Sequence, residues 1–163
     1  MALDTTIGGT DADSYGTLAA YTAYALSRGW TLAATDALNE INLRGGAMYL
    51  DRKYSFVGLQ QYQYQERSWP RLVSDLVNDW PIAPDVIPSS IIYAQFEMAH
   101  LIQGGLDPFA TIESSATSES IKVGPITIAG DTLPTGTPRV VAIEGLLSGY
   151  ILGGVGQVKM VRG

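Results

Sequence analysis

The chain has 163 residues, 46% of them hydrophobic and only 16% charged, which suits one folded domain with a single core and much neutral surface. Ten Lys and Arg against sixteen Asp and Glu give a net charge of -6, and the basic residues are scattered, which argues against a dedicated nucleic-acid binder, whose affinity rests mainly on Lys and Arg neutralising phosphates. Cysteine is absent, which removes disulfide, thiol and Cys-zinc chemistry, and no apolar run approaches the roughly 18 residues of a membrane span.

Residues 1–14 are rich in Gly, Thr and Asp and lack the basic start and apolar core of a signal peptide, so they read as an N-terminal arm. Thr17 then offers an N-cap, Leu18, Tyr21, Ala25 and Leu26 recur at helical spacing, and Gly29 stops the pattern. That predicts a first helix over about 18–28. Thr35 or Asp36 caps a longer helix over about 36–53, with one apolar stripe through Ala37, Ile41, Gly45 and Met48 and another through Leu43, Ala47, Leu50 and Tyr54. The Gly45-Gly46 pair inside it costs about 1 kcal/mol per glycine relative to alanine, so close approach of a neighbouring backbone is its expected use.

After Gly58 the run Gln60 to Gln65 alternates amide and phenol and reads as a surface loop or, through Tyr62 and Tyr64, a partner-binding surface. Base stacking there is disfavoured because Arg67 is the single nearby arginine. Proline at position 70 forces Trp69 to be extended; Trp69 is expected to be buried against the second helix, with Arg71 tied to acidic or carbonyl groups near its end. Pro81, Pro84 and Pro88 punctuate a connection to a third helix over about 89–103, whose broad apolar face runs through Ile91, Ile92, Gln95, Phe96, Met98, Ala99 and Ile102 before Gly104-Gly105.

A Ser/Thr/Ala linker leads to two short strand patterns around Gly124-Pro125, a β-hairpin over about 118–130, and then to a short helix from Val140 to Tyr150. In the tail, glycines 153, 154 and 156 supply a hinge. Val155, Gln157, Val158, Lys159, Met160, Val161 and Arg162 suit docking on a partner by strand addition. The division is therefore an arm (1–14), one domain (15–151) and a docking tail (152–163). The fold class is mainly α, a small bundle of about four helices with an inserted β-hairpin.

No constellation points to chemistry. His100 is the single histidine, with Glu97 one turn earlier but no tied nucleophile, and reads as structural or surface. Asp75 and Asp79 lack a second set of metal ligands, and Gly153-Gly154-Val155-Gly156 lacks the Lys-Ser/Thr ending of a phosphate loop. No catalytic, metal or cofactor residue is assigned, and the expectation is a protein that is not an enzyme.

The second helix ending in Met48-Tyr49-Leu50-Asp51, followed by Tyr54, Gly58, Gln65, Trp69-Pro70-Arg71 and Ile87-Pro88 and later by Lys122-Val123-Gly124, resembles the head-tail connector (adaptor) proteins of tailed bacteriophages, related sequences being labelled DnaT-like. The resemblance implies a structural virion protein in the neck between capsid and tail, made in the host bacterial cytoplasm and needing no cofactor. It implies a closed homo-oligomeric ring of about twelve subunits bound to the portal and to a tail or stopper protein. DNA would pass through its channel without specific binding, and no membrane is involved. The alternative is a single-stranded DNA-binding, DnaT-like module for replication.

Overall fold

The computed structural model describes residues 2–73, 81–109, 121–123, 126–128 and 141–152, with side chains in 121–128 left aside. Helix α1 (Leu18–Ser27) starts where Thr17 accepts from the Ala20 amide and ends at Gly29, whose φ of +69° lets the Trp30 amide turn back to the Ala25 carbonyl. Helix α2 (Asp36–Lys53) is capped by Thr35 in the same way, and buried Asn39 bonds both backbone groups of Ala33, which fixes the α1–α2 connection. Helix α3 (Ser89–Gln103) begins after Pro88 and runs out at Gly104-Gly105. Two antiparallel ribbons, β1 (Leu59–Gln60) with β2 (Arg71–Leu72) and β3 (Ile121–Val123) with β4 (Ile126–Ile128), and helix α4 (Val141–Leu147) complete the described elements. This is the mainly helical domain with a small hairpin that the sequence predicts; the β1–β2 ribbon, two residues per strand, is an addition to it.

The centre is the α2–α3 pair. At Gly46 a Cβ would lie 2.7 Å from the Gln95 carbonyl oxygen, so only glycine permits this approach of backbone to backbone; at Gly45 it would meet only the flexible tip of Ile102. Leu43, Ala47 and Leu50 of α2 and Ile91, Ala94, Met98 and Ala99 of α3 are fully buried. The other predicted α2 stripe is different: Ala37 and Ile41 are exposed, because α1 covers too little of that side. α4 packs on α3 and places Ile143 and Leu147 in the same core.

Residues 2–16 are laced to the body. The Asp13 amide donates to the Asp4 carbonyl, Ala12 and Ser14 are buried, and the Gln95 side-chain oxygen accepts from the amides of Tyr15 and Gly16 while its nitrogen donates to Ser14 Oγ and the Leu43 carbonyl. One buried amide thus ties the arm, α2 and α3 together with every bond made.

The stretch from Tyr49 to Arg71 forms a joint. Tyr49 and Leu50 lie in the core, while Asp51 accepts from the Tyr15 hydroxyl and the Ser68 amide, with its Oδ2 3.2 Å from Arg67 Nη1. Gly58, at φ +76°, passes so close to the Leu72 carbonyl that a Cβ would overlap it at 2.1 Å. Trp69 is 1% exposed, edge-on to Phe56 and Tyr150, and its peptide bond to Pro70 is cis. Arg71 donates to the carbonyls of Phe56, Val57, Gly58 and Ser68, so it grips the chain after α2 through carbonyls and not through an acid. Pairing of Phe56 with Ile151 brings the end of the α4 region onto this joint.

Burial raises the Asp51 pKa above its ordinary 3.8, and the bonds from Tyr15, Arg67 and Ser68, which pull the other way, do not offset it. The folded protein therefore holds a proton that the unfolded chain would already have lost, so the contribution of Asp51 to stability grows as pH falls from the folded value toward 3.8. In chemical denaturation across that window, wild type is expected to gain stability relative to Asp51→Asn as the solution is acidified; a loss would show that the Arg67 pair outweighs burial. Trp69→Ala is expected to cost about 3 to 5 kcal/mol by emptying the joint. A cost below about 1 kcal/mol would mean that the neighbouring rings collapse into the gap.

Candidate nucleic-acid interface

Tyr93, Glu97 and His100 are spaced i, i+4 and i+7 on α3, so they line one stripe of that helix, on the side away from the α2 contact at Ala99 and Gln95. A second row faces them from α1 and the turn after it: Tyr24, Arg28 at the helix C-cap, and Trp30 just past Gly29. The rows meet pairwise. Tyr24 stacks on Tyr93 with centroids 4.8 Å apart and planes 23° apart, and Trp30 lies parallel to the His100 ring at 4.0 Å and 3°. Between them Arg28 reaches Glu97 Oε1 at 3.2 Å, with its guanidinium carbon 4.8 Å from the Tyr24 centroid and 5.8 Å from that of Trp30. The result is an aromatic, charged, aromatic sequence in each row.

This face is rigid for reasons internal to the fold. Phe96, 1% exposed, backs Tyr24 and Tyr93 from the core at 5.5 and 6.4 Å, and Gln103 donates to the Thr31 carbonyl, pinning the turn that carries Trp30 to α3. The Tyr24 hydroxyl accepts from Arg28 and donates to Glu97 Oε1. Partial burial and the neighbouring Glu97 carboxylate push its pKa up to about 12, so the phenol keeps its proton and the direction of this chain is fixed. Tyr93 is nonetheless 40% exposed and the Arg28 side chain 48%. Half-open rings on an ordered base, with a guanidinium among them, form a platform on which planar heterocycles stack.

Elsewhere the arginines among the described residues are occupied. Arg44 pairs with Asp13 and Glu40, Arg67 with Asp51 and Glu66, Arg71 with four carbonyls, and Arg52 lies over Phe109. Among the described residues no group of three or more His, Asp or Glu is placed to hold a metal ion.

The residues singled out from sequence lie away from this face. Tyr49, Leu50, Asp51, Gly58, Trp69, Pro70 and Arg71 do come together, but as the internal joint described above. Tyr62 is 45% exposed and lies against Gly8, while Tyr64 at 73% stands in solvent; neither joins the stacked set. The tail positions Val155, Gln157, Val158, Lys159, Met160, Val161 and Arg162, together with Asp75 and Asp79, lie outside the described residues. The stacked face goes unread in the sequence because Tyr24, Trp30 and Tyr93 are not singled out there and His100 is weighed only with Glu97 on its own helix. The signal available was the i, i+4, i+7 spacing on α3.

Comparison with protein families gives a match over residues 1–163 to a family model described as "Putative DnaT-like ssDNA binding protein". Neither the curated proteins nor the solved structures give a match. The family match overturns the resemblance to head-tail connectors, and with it the virion adaptor function, the ring of about twelve subunits, the portal and tail or stopper partners, and passage of DNA without specific binding. The neck location rested on that resemblance alone. Its physical weakness is now visible: the Tyr49-Leu50-Asp51 to Trp69-Pro70-Arg71 spacing that carried it serves internal packing and carbonyl bonds, so it reports a fold and not a partner. No helix of the described residues is long and apolar enough to cross a membrane. Matched from its first residue to its last, the chain belongs to the family of putative DnaT-like ssDNA binding proteins.

Proposed function

We propose that the protein is a non-catalytic module that binds single-stranded DNA by stacking bases on the Tyr93–Tyr24 and Trp30–His100 pairs, with Arg28 as the cation between them. The observation that carries the reading is the half-open aromatic face with a guanidinium inside it, on a chain of this family. With a net charge of -6 and its other described arginines engaged within the fold, the protein cannot draw its affinity from a long run of phosphate contacts. Stacking supplies it instead, and duplex DNA, whose bases are already stacked and paired, is a poor ligand for such a face.

Two consequences are measurable by fluorescence anisotropy with a labelled 12-mer. Tyr93→Ala and Trp30→Ala are each expected to weaken binding about 5- to 150-fold, the loss of about 1 to 3 kcal/mol for one stacked base. The salt dependence is expected to be shallow, with a slope of log K against log salt near -0.7 to -1.4, that is, about one or two phosphates. Absence of binding, or binding that neither substitution alters, overturns this reading.

A further inference from the structure

The outward face of the β1–β2 ribbon is apolar and uncovered by the described residues. Leu59 and Leu72 are register partners, so their side chains leave the ribbon on one side, and they are 74% and 48% exposed. The other register pair, Gln60 and Arg71, belongs to the opposite side, where Arg71 grips the carbonyls after α2. Exposed Tyr62 and Tyr64 follow the end of β1, and Tyr62 lies on Gly8, which brings half-exposed Ile7 alongside. The loop is held in place from within: Gln65 accepts from the Tyr62 amide and donates to the carbonyls of Arg67 and Pro70, and the Glu66 amide donates to the Gly9 carbonyl of the arm. Together these apolar side chains leave about 600 Å² open, at the top of what a monomer ordinarily shows in one patch, and none of them belongs to the stacked set.

We infer that this face is the contact between two copies of the chain related by a two-fold axis. Charge and area select that occupant. Residues 57–65 and 5–10 carry no charged side chain, and Glu66 at the rim is paired with Arg67 at 2.9 Å, on a chain whose net charge is -6. A DNA strand finds no cation there, and a basic partner finds no acid. Across a two-fold axis each face meets its own likeness, so charges would repel, whereas aliphatic chains pack and Gln amides and Tyr hydroxyls, which both donate and accept, bond to their own kind. Pairing removes about 1,200 Å² of surface counted over both chains, which reaches the size of a specific interface, and the internally bonded loop keeps the ordering cost low. Because both copies use the same face, the contact closes at two and builds no ring.

Sedimentation velocity on the full chain, from about 1 to about 100 μM, tests this. The expected result is a concentration-dependent species of twice the 17.4 kDa chain mass and none larger. Leu59→Glu and Tyr64→Glu, each at a largely exposed site and checked by thermal melting to be folded, are expected to weaken pairing about 30-fold or more, as loss of a central contact residue does. Leu26→Glu, at an equally open apolar site on α1, is expected to leave pairing unchanged. A monomer throughout the range overturns the inference. So does a pair that survives both ribbon substitutions, a pair that Leu26→Glu dissociates, or a species that grows beyond two. Every readout is taken without DNA, so the outcome is independent of the stacking function.

Discussion

The approach of α3 to α2 at Gly46 is the constraint from which the rest follows. With the Gln95 carbonyl where a side-chain carbon would otherwise sit, the two helices close to backbone contact, and this fixes the rotation of α3 about its own axis. That rotation decides two faces at once. Ile91, Ala94, Met98 and Ala99 are turned into the core, and Tyr93, Glu97 and His100 are turned toward α1 and the Trp30 turn. Gln95 adds a lock: a buried amide with all its bonds made to the arm and to α2 tolerates little rotation, because any shift leaves a polar group unpaired away from water.

Helix positions were legible because their signals are local. Thr17 and Thr35 cap, Gly29 and Gly104-Gly105 terminate, and the periodicity of α2 and α3 fills the space between; each is read within a few residues of chain. The close approach at the glycine pair was legible for the same reason, since two poor helix formers inside a strong helix call for a packing explanation. The side on which α2 is exposed was not, because it depends on how much surface the short α1 covers.

The stacked face was hidden by a different limit. Tyr24, Arg28 and Trp30 lie more than sixty positions before Tyr93, Glu97 and His100, and only the α2–α3 packing and the turn at Gly29 bring the two rows into register. The same limit explains why Tyr62 and Tyr64 drew attention. Their density in sequence looked like a surface, yet among the described residues no second element comes to build on them, and one ring is spent against Gly8. The joint from Asp51 to Arg71 misled in the opposite sense: it is dense in distinctive residues because it must satisfy buried carbonyls and a carboxylate while packing an indole against two other rings, and such density marks structural demand as readily as function.

An acidic protein that binds single-stranded DNA needs its attraction concentrated, since its mean field repels the backbone. In the binding proposed for this protein, the concentration is local and chemical. Glu97, which would itself oppose DNA, is neutralised by Arg28 and by the Tyr24 hydroxyl, and Arg28 in turn is held over two aromatic rings. What faces solvent between the stacked pairs is then close to neutral, flat and polarisable. Such a surface favours the uncharged, planar part of a nucleotide over its phosphate, and an unstacked base has that part to offer. On the proposed function, the acidic remainder of the surface would work as a filter: segments whose bases are paired would bring mostly phosphates to the protein and be repelled, while an open strand could turn a base toward the rings and its charge away.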